Sequence, residues 1–552
     1  MNRWSEKKQK NRIKTQFGKN PIDMETWESL QLRMHEIEMY EQRRRKDSNQ
    51  EWVDDVTWND LEMDRVFARI NHTRTYMGEQ ILYHRLHGRK NRQELQRMEK
   101  RIAFFSCQES SRIKVEEKLS HIGKQKENYY LPLFLMDEIN WPVTSCIGLY
   151  LQQVLLVICL AGTVLTRSNV WAIGLLVVVT VNLLIYLHAK NKYEGNLFAV
   201  ANMKVALDFC NWMIKCFEGN QLYEDEEIMQ ALEKTRKLAK QMGRWQARKY
   251  QSVTGDLGGI VQDYLAGITL YDIVAFCHIE KALRKCRKET LQLYEFVGDV
   301  DTDIVIASFR KSLTNWCSPM IQKSGPISLE KICHPLMDDG VANSIELRKG
   351  AIFTGANASG KSTFMKAVAI NVILAQTIHT CVAKNVKMPT IKVMTSMALR
   401  DDVVQKESYY MREMKYLKRM LDEIEKGEPV LFVIDEILKG TNTRERLGAS
   451  KAILSYMAQK PGFLLVATHD LELVKAEENL YETYYFDSQI CGKDIIFPYK
   501  MKQGIAIRTN AIDLMEIMDF PKEITEKARK CIYENWRSSG TDRIKYQQYP
   551  VL

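Results

Sequence analysis

The apolar positions of this chain follow three rhythms along its length. From Cys146 to Leu165, "CIGLYLQQVLLVICLAGTVL" carries no charge, and "VWAIGLLVVVTVNLLIYL" from Val170 to Leu187 carries none either. As helices these runs are about 27 to 30 Å long, which matches the hydrocarbon thickness of a bilayer. Only "TRSN" lies between them, so the pattern predicts a transmembrane helical hairpin over residues 146–188 with both flanks on one side. Lys190 and Lys192 on the flank put that side in the cytoplasm by the positive-inside rule, with Arg167 outside. A buried soluble helical hairpin is the alternative, and the adjacent Gln152 and Gln153 favour it.

Around the hairpin the rhythm is helical. Apolar residues recur at three-to-four spacing in "DLEMDRVFARINHTRTYMGEQILYHRLHG" and again in "NLFAVANMKVALDFCNWMIKCFEG". The hairpin therefore interrupts one helical domain, with a first part at 51–140 and a second at 189–328. Residues 1–50 read as a basic arm and an amphipathic helix. From about 329 the pattern changes to short apolar runs bounded by Gly, Pro and Asp, "GAIFTG", "EPVLFVID" and "PGFLLVATHD", alternating with helical segments. That alternation predicts a parallel sheet with crossover helices over 329–535. A polar tail, 536–552, follows.

The 552 residues carry a net charge of +10, part of it clustered before Lys19 and at Arg43 to Lys46. Such clusters attract phosphate, on nucleic acid or on anionic lipid, and a solvated helix face is the plainer reading. Twelve cysteines without C-x-x-C spacing fit reduced thiols, not a disulfide framework or a zinc site. The polar, basic first 20 residues show no cleavable signal peptide.

"TGANASGKST", Thr354 to Thr363, fits G-x-x-x-x-G-K-[ST] and stands between an apolar run and a helical one. In that setting the amides from Gly355 through Ala356, Asn357, Ala358, Ser359 and Gly360 to Thr363 cradle phosphate. Lys361 reaches the β and γ oxygens, and Ser362 holds Mg²⁺. "VLFVIDE" is a buried strand ending in Asp435, a second Mg²⁺ ligand, and Glu436, which polarises the attacking water. "LLVATHD" ends at His469, placed to hydrogen-bond the γ-phosphate or that water. These residues predict ATP hydrolysis with Mg²⁺, the catalytic work falling to Glu436, His469 and Lys361.

In order and spacing these segments resemble the ATPase signatures of the MutS family of DNA mismatch repair proteins, "DEILKGTNTRERLGAS" included. "RDDVVQKESYYMREM" is similar to the family's S-x-x-M-x-E-M segment through Ser408, Met411, Glu413 and Met414. "CHPLMDDGVANSIELRKG", "TWNDLEMDRVFARINHTRTYMGEQILYHRLHG" and "YKMKQGIAIRTNAIDLMEIMDFPKEITEKAR" extend the resemblance over about residues 50 to 540. It implies a MutS-like α-helical core and lever domain beside an ABC-like α/β P-loop ATPase domain. It also implies a homodimer in which Ser408 completes the partner's ATP site, and DNA as a partner. Three departures accompany it. Residues 1–50 are too few for the family's mismatch-reading domain, the apolar hairpin stands where the family inserts its DNA clamp, and Ala356, Ala358 and Ser359 replace the usual Pro, Met and Gly. Together they imply a motor at the cytoplasmic membrane without that reader, its N- and C-terminal parts in the cytoplasm. An ABC-type membrane ATPase and a membrane-bound nucleic-acid switch are the alternatives.

Overall fold

The computed structural model describes residues 3–23, 25–47, 52–136, 146–217, 226–253, 264–356, 358–397, 409–491, 494–505 and 511–538. Two compact units divide the chain. One gathers 1–52, 64–314 and 376–379, the other 53–63, 315–375 and 380–552.

The first unit is helical. Its inner helix, Arg287–Ser312, is buried along most of its length against Tyr76–His87 and Arg92–Cys107. Two glycines set how closely these helices approach. A Cβ on Gly298 would lie 2.3 Å from Ile81 Cγ1, and one on Gly78 would lie 2.4 Å from Asp301 Oδ2. Asp301 is buried and accepts from Thr75 Oγ1 at 2.7 Å, Thr75 N at 2.8 Å and Arg74 N at 3.0 Å. Thr75 in turn caps its own helix by accepting from Gly78 N at 2.8 Å. One carboxylate thus satisfies donors that a helix start leaves open. Glu79, fully buried, is met by Arg33 at 2.8 Å, Lys124 at 2.7 Å and Asn71 at 2.8 Å; burial pushes its carboxyl up, and the two cations Lys124 and Arg33 nevertheless hold it down at about 2.

The two apolar runs form helices Cys146–Thr166 and Asn169–Cys216, joined at Arg167, whose φ of 51° turns the chain. Within them Ile147–Thr166 and Asn169–Ala189 have mean hydropathies of 2.0 and 2.4, and only 11% and 17% of these stretches are buried. Leu151, Val157, Val164, Ile173 and Leu176 are among the exposed side chains. The second helix does not stop where its apolar stretch ends. It runs 48 residues, about 72 Å at the α-helical rise, into the body of the helical unit.

The second unit carries the sheet that the alternating runs predict. Strand Gly350–Gly355 pairs in parallel with Gly462–Ala467 on one side and Glu482–Phe486 on the other. Beyond Gly462–Ala467 come Val430–Asp435 and Lys392–Ser396, both parallel, while Met501–Gln503 closes the far edge antiparallel to Glu482–Phe486. The three central strands are buried on both faces, which is why they read as continuous apolar runs. Helix Lys361–Thr377 follows the first of them and buries Met365, Val368, Ile370 and Ile373. Its Asn371 is buried too, donating to Cys333 O at 3.0 Å and accepting from Val382 N at 2.6 Å. Strands Met320–Gln322, Ile327–Ile332, Asn343–Leu347 and Asn385–Pro389 make a second, smaller sheet.

Candidate functional site

The candidate site forms where the central strands end. Gly355 leaves its strand with φ 135°, and a Cβ there would meet Phe486 O at 2.5 Å, so only glycine lets the chain curl at this point. The loop continues through Ala356 and through Ala358 at φ 64° to Gly360 at φ 103°, with Ser359 N donating to Ala356 O at 3.3 Å. Ser359 is buried. Lys361 opens the helix, only 6% exposed, its ammonium donating to Gly355 O at 2.8 Å and Ala356 O at 2.9 Å. Burial lowers its pKa, against the opposing pull of Asp435 and Glu436. A cation held inside a loop at a helix N-terminus, where backbone amides remain open, is an arrangement suited to phosphate.

Ser362 Oγ donates to Asp435 Oδ2 at 2.6 Å. Thr363, next on the helix, is exposed. Asp435 and Ala467 are register partners on adjacent strands, which brings the strand-end residues Glu436 and His469 together. Glu436 sits in the left-handed region at φ 61°, its amide donating to Ala467 O at 2.9 Å. Its carboxylate faces His469 Nε2 at 3.4 Å and Lys439 Nζ at 3.2 Å. A non-glycine residue in that conformation is costly and is kept only where surroundings impose it. Burial lowers the His469 pKa below its usual 6.5, with Lys361 adding to the effect and Glu436 opposing it. Neutral imidazole is therefore the form at pH 7, able to accept as well as donate a proton.

Of the residues singled out in the sequence, Gly355, Ala356, Ala358, Ser359, Gly360, Lys361, Ser362, Asp435, Glu436 and His469 share this one strand-end site. Asn357 and Ser408 lie outside the described residues. Beyond Ser408, Glu413 is buried and accepts from Lys439 N at 3.1 Å, bracing the turn that follows Glu436, while Met411 and Met414 on the same helix are exposed. Two neighbours stand in segments that carry the resemblance but receive no role from it. Lys439 pairs with Glu436, a contact foreshadowed only by its spacing of three. Tyr499 lies so close to the loop that a Cβ on Gly360 would be 3.0 Å from its Cδ1. Asn343 holds that segment, donating to Tyr499 O and accepting from Met501 N, both at 2.9 Å.

For Mg²⁺ the test is the donor set. The Ser362 hydroxyl and the Asp435 carboxylate are hard oxygen donors already within 2.6 Å of each other, a pair that fits a cation taking oxygen ligands and keeping several waters. Among the described residues no group of three or more His, Cys, Asp and Glu is arranged to hold a metal by protein ligands alone.

MutS domain V matches residues 351–534. The DNA mismatch repair protein MutS of Aquifex pyrophilus is 27% identical over 278 residues, 47% of this chain and 32% of that protein. Its namesake from Thermotoga petrophila is 24% identical over 291 residues, 50% of this chain and 36% of the relative. Human MutS protein homolog 4 is 29% identical over 274 residues, 45% of this chain and 29% of its own length. The chain thus spans about a third of the length of the curated relatives it matches.

Proposed function

The chain belongs to the MutS family, and from that premise we propose that it is a membrane-anchored ATPase that hydrolyses ATP with Mg²⁺. The observation that carries the reading is the meeting of Lys361, Ser362, Asp435, Glu436 and His469 at one strand-end site, with Ser362 Oγ 2.6 Å from Asp435 and His469 3.4 Å from Glu436. In this mechanism Lys361 exchanges its two loop carbonyls for phosphate oxygens, and the loop amides and helix N-terminus share the rest of the triphosphate charge. Ser362 and Asp435 would hold Mg²⁺, which neutralises charge on the transferred phosphoryl group when bound. Glu436 accepts a hydrogen bond from the attacking water, and neutral His469 orients it from the next strand end. Lys439 holds the Glu436 carboxylate from its other side. Tyr499 lies beside the loop with 46% of its surface exposed, a stacking face for a nucleobase.

The family signature around Ser408 makes a homodimer the working form, with exposed Met411 and Met414 lying on the surface that meets the second copy. The hairpin supplies the anchor, since its two apolar stretches are long enough to span and expose most of their side chains. Two of the relatives are named for DNA mismatch repair, and duplex DNA is proposed here as a partner, without mismatch selectivity. Binding of matched, mismatched and branched duplexes across a salt series tests that part. Phosphate-led binding weakens steeply with salt, with a log–log slope of about −0.9 per phosphate contact, and absence of binding at physiological salt would leave the ABC-type membrane ATPase standing.

Glu436→Gln tests the chemistry. It keeps shape and hydrogen bonding while removing the base, so hydrolysis should fall by about 10²- to 10⁴-fold with ATP binding kept. Hydrolysis at the parental rate would overturn the assignment.

A further inference from the structure

Residues 264–278 pack against the two apolar helices at a definite depth. Gln153, on the first helix, donates from Nε2 to Thr269 O at 2.7 Å, and Asn182, on the second, donates from Nδ2 to Ile268 O at 2.8 Å. Gln153 stands seven positions after Cys146, and Asn182 seven positions before Ala189. At the helical rise each is about 10 Å in from the flank, so two independent contacts place the same backbone at the same level, about a third of the way through a hydrocarbon core of about 30 Å. Tyr150, nearer the flank, pairs with His278 at 2.5 Å, so the chain descends from His278 to Ile268.

The local backbone explains why amide side chains are needed there. The helical turn at 264–269 breaks at Leu270, whose φ is 54°, before helix Tyr271–Lys285 begins. A break strands carbonyls, and a carbonyl left unpaired in hydrocarbon is costly. Gln153 and Asn182 therefore satisfy two of these carbonyls through their amide N–H groups. Packing is close, since a Cβ on Gly267 would be 3.1 Å from Tyr186 Cδ1 and 3.3 Å from Leu183 Cδ2. Leu149, Tyr186, Leu270, Val274 and Cys277 form a common core, and Asp272 is buried. The outward side is apolar and aromatic instead, with Tyr264 63%, Leu265 53% and Tyr271 48% exposed. Arg284, Lys285, Arg287 and Lys288 follow in the chain, cations suited to phosphate headgroups.

We propose that residues 264–278 form a third membrane-embedded element, entering from the flank side and seated on the hairpin, with Tyr264, Leu265 and Tyr271 in contact with the lipid of that leaflet. The proposal rests on the reading of the hairpin as a membrane anchor. Apolar and aromatic side chains suit a surface turned to lipid, and a broken backbone is tolerated at this depth only because protein side chains cover it.

The test uses the full chain in vesicles of phosphatidylcholine and phosphatidylglycerol that contain a carbene-generating photoactivable phospholipid, with adducts mapped by mass spectrometry. Adducts on Tyr264, Leu265 or Tyr271 together with adducts across 147–187 are expected. Labelled hairpin with unlabelled 264–278 would overturn the proposal and leave the anchor intact, whereas no adduct on either segment would overturn the anchor itself. In a Gln153→Leu, Asn182→Leu double variant, hairpin adducts should persist while those on 264–278 fall to the background of the Thr443–Ala458 helix. Unchanged labelling of 264–278 in that variant would show that the two amides do not hold the segment.

Discussion

Gly298→Ala is the sharpest perturbation of the helical unit, because two opposing effects of known size meet at one atom. Replacing a mid-helix glycine by alanine normally favours the helix by about 1 kcal/mol. Here the new methyl would stand 2.3 Å from Ile81 Cγ1, 2.8 Å from Ile81 Cβ and 2.9 Å from Met77 O. A rotamer change moves the first atom only; the Cβ and the carbonyl oxygen move only if helix Tyr76–His87 backs away from Arg287–Ser312. Overpacking of that kind costs about 1 to 3 kcal/mol, and rigid neighbours put this site at the upper end. The difference is a net loss of about 2 kcal/mol, or about 4 °C at roughly 2 °C per kcal/mol for a unit of this size. Gly448→Ala makes the same chemical change at an exposed position in helix Thr443–Ala458 with nothing within 4 Å of the new Cβ, so it should raise stability by about 0.5 to 1 kcal/mol. Thermal unfolding of both variants in detergent, followed by intrinsic fluorescence, reads the sign directly. A Gly298→Ala protein as stable as the parent would refute the claim that close helix approach requires this glycine.

Lys361→Ala should weaken binding of a fluorescent ATP analogue by about 10- to 100-fold, the value of a charge-assisted contact of 1.5 to 3 kcal/mol; unchanged affinity would remove Lys361 from the phosphate site. The acid limb of the ATPase pH profile should have its midpoint below 6.5, since burial and Lys361 keep His469 neutral down to a lower pH than a free histidine, and a midpoint above 6.5 would exclude His469 as the group responsible. His87 is buried, with Nδ1 2.9 Å from Tyr83 O, and burial lowers its pKa to about 4. The unfolded chain therefore binds the proton first, and stability should fall by up to about 1.4 kcal/mol per pH unit between about 6.5 and 4; His87→Gln should flatten that slope in pH-dependent unfolding. Protease protection of a tag beside Arg167 in sealed vesicles should report a side opposite to a tag at the C-terminus, and equal accessibility of both would count against a spanning hairpin.

Elements governed by backbone requirements were the most legible in the sequence. Gly355 and Gly360 do adopt left-handed conformations, and the apolar runs before them and before Asp435 and His469 do form adjacent parallel strands. Ala358 and Glu436 share the left-handed region without any residue type to announce it, because the surrounding strand ends, not local preference, impose the conformation. The length of helix Asn169–Cys216 was hidden for a related reason. Lys190, Lys192 and Glu194 mark a change of composition, yet the i to i−4 ladder is indifferent to polarity and continues through it. Gln153 shows how far local reading reaches. In sequence it weighs against a membrane span, since an amide in hydrocarbon is costly. In the structure its donor is spent on Thr269 O, 116 positions away, and Asn182 does the same for Ile268. A polar residue within an apolar run is thus judged by its partner, and a partner so distant in the chain is visible only once the fold has brought it alongside.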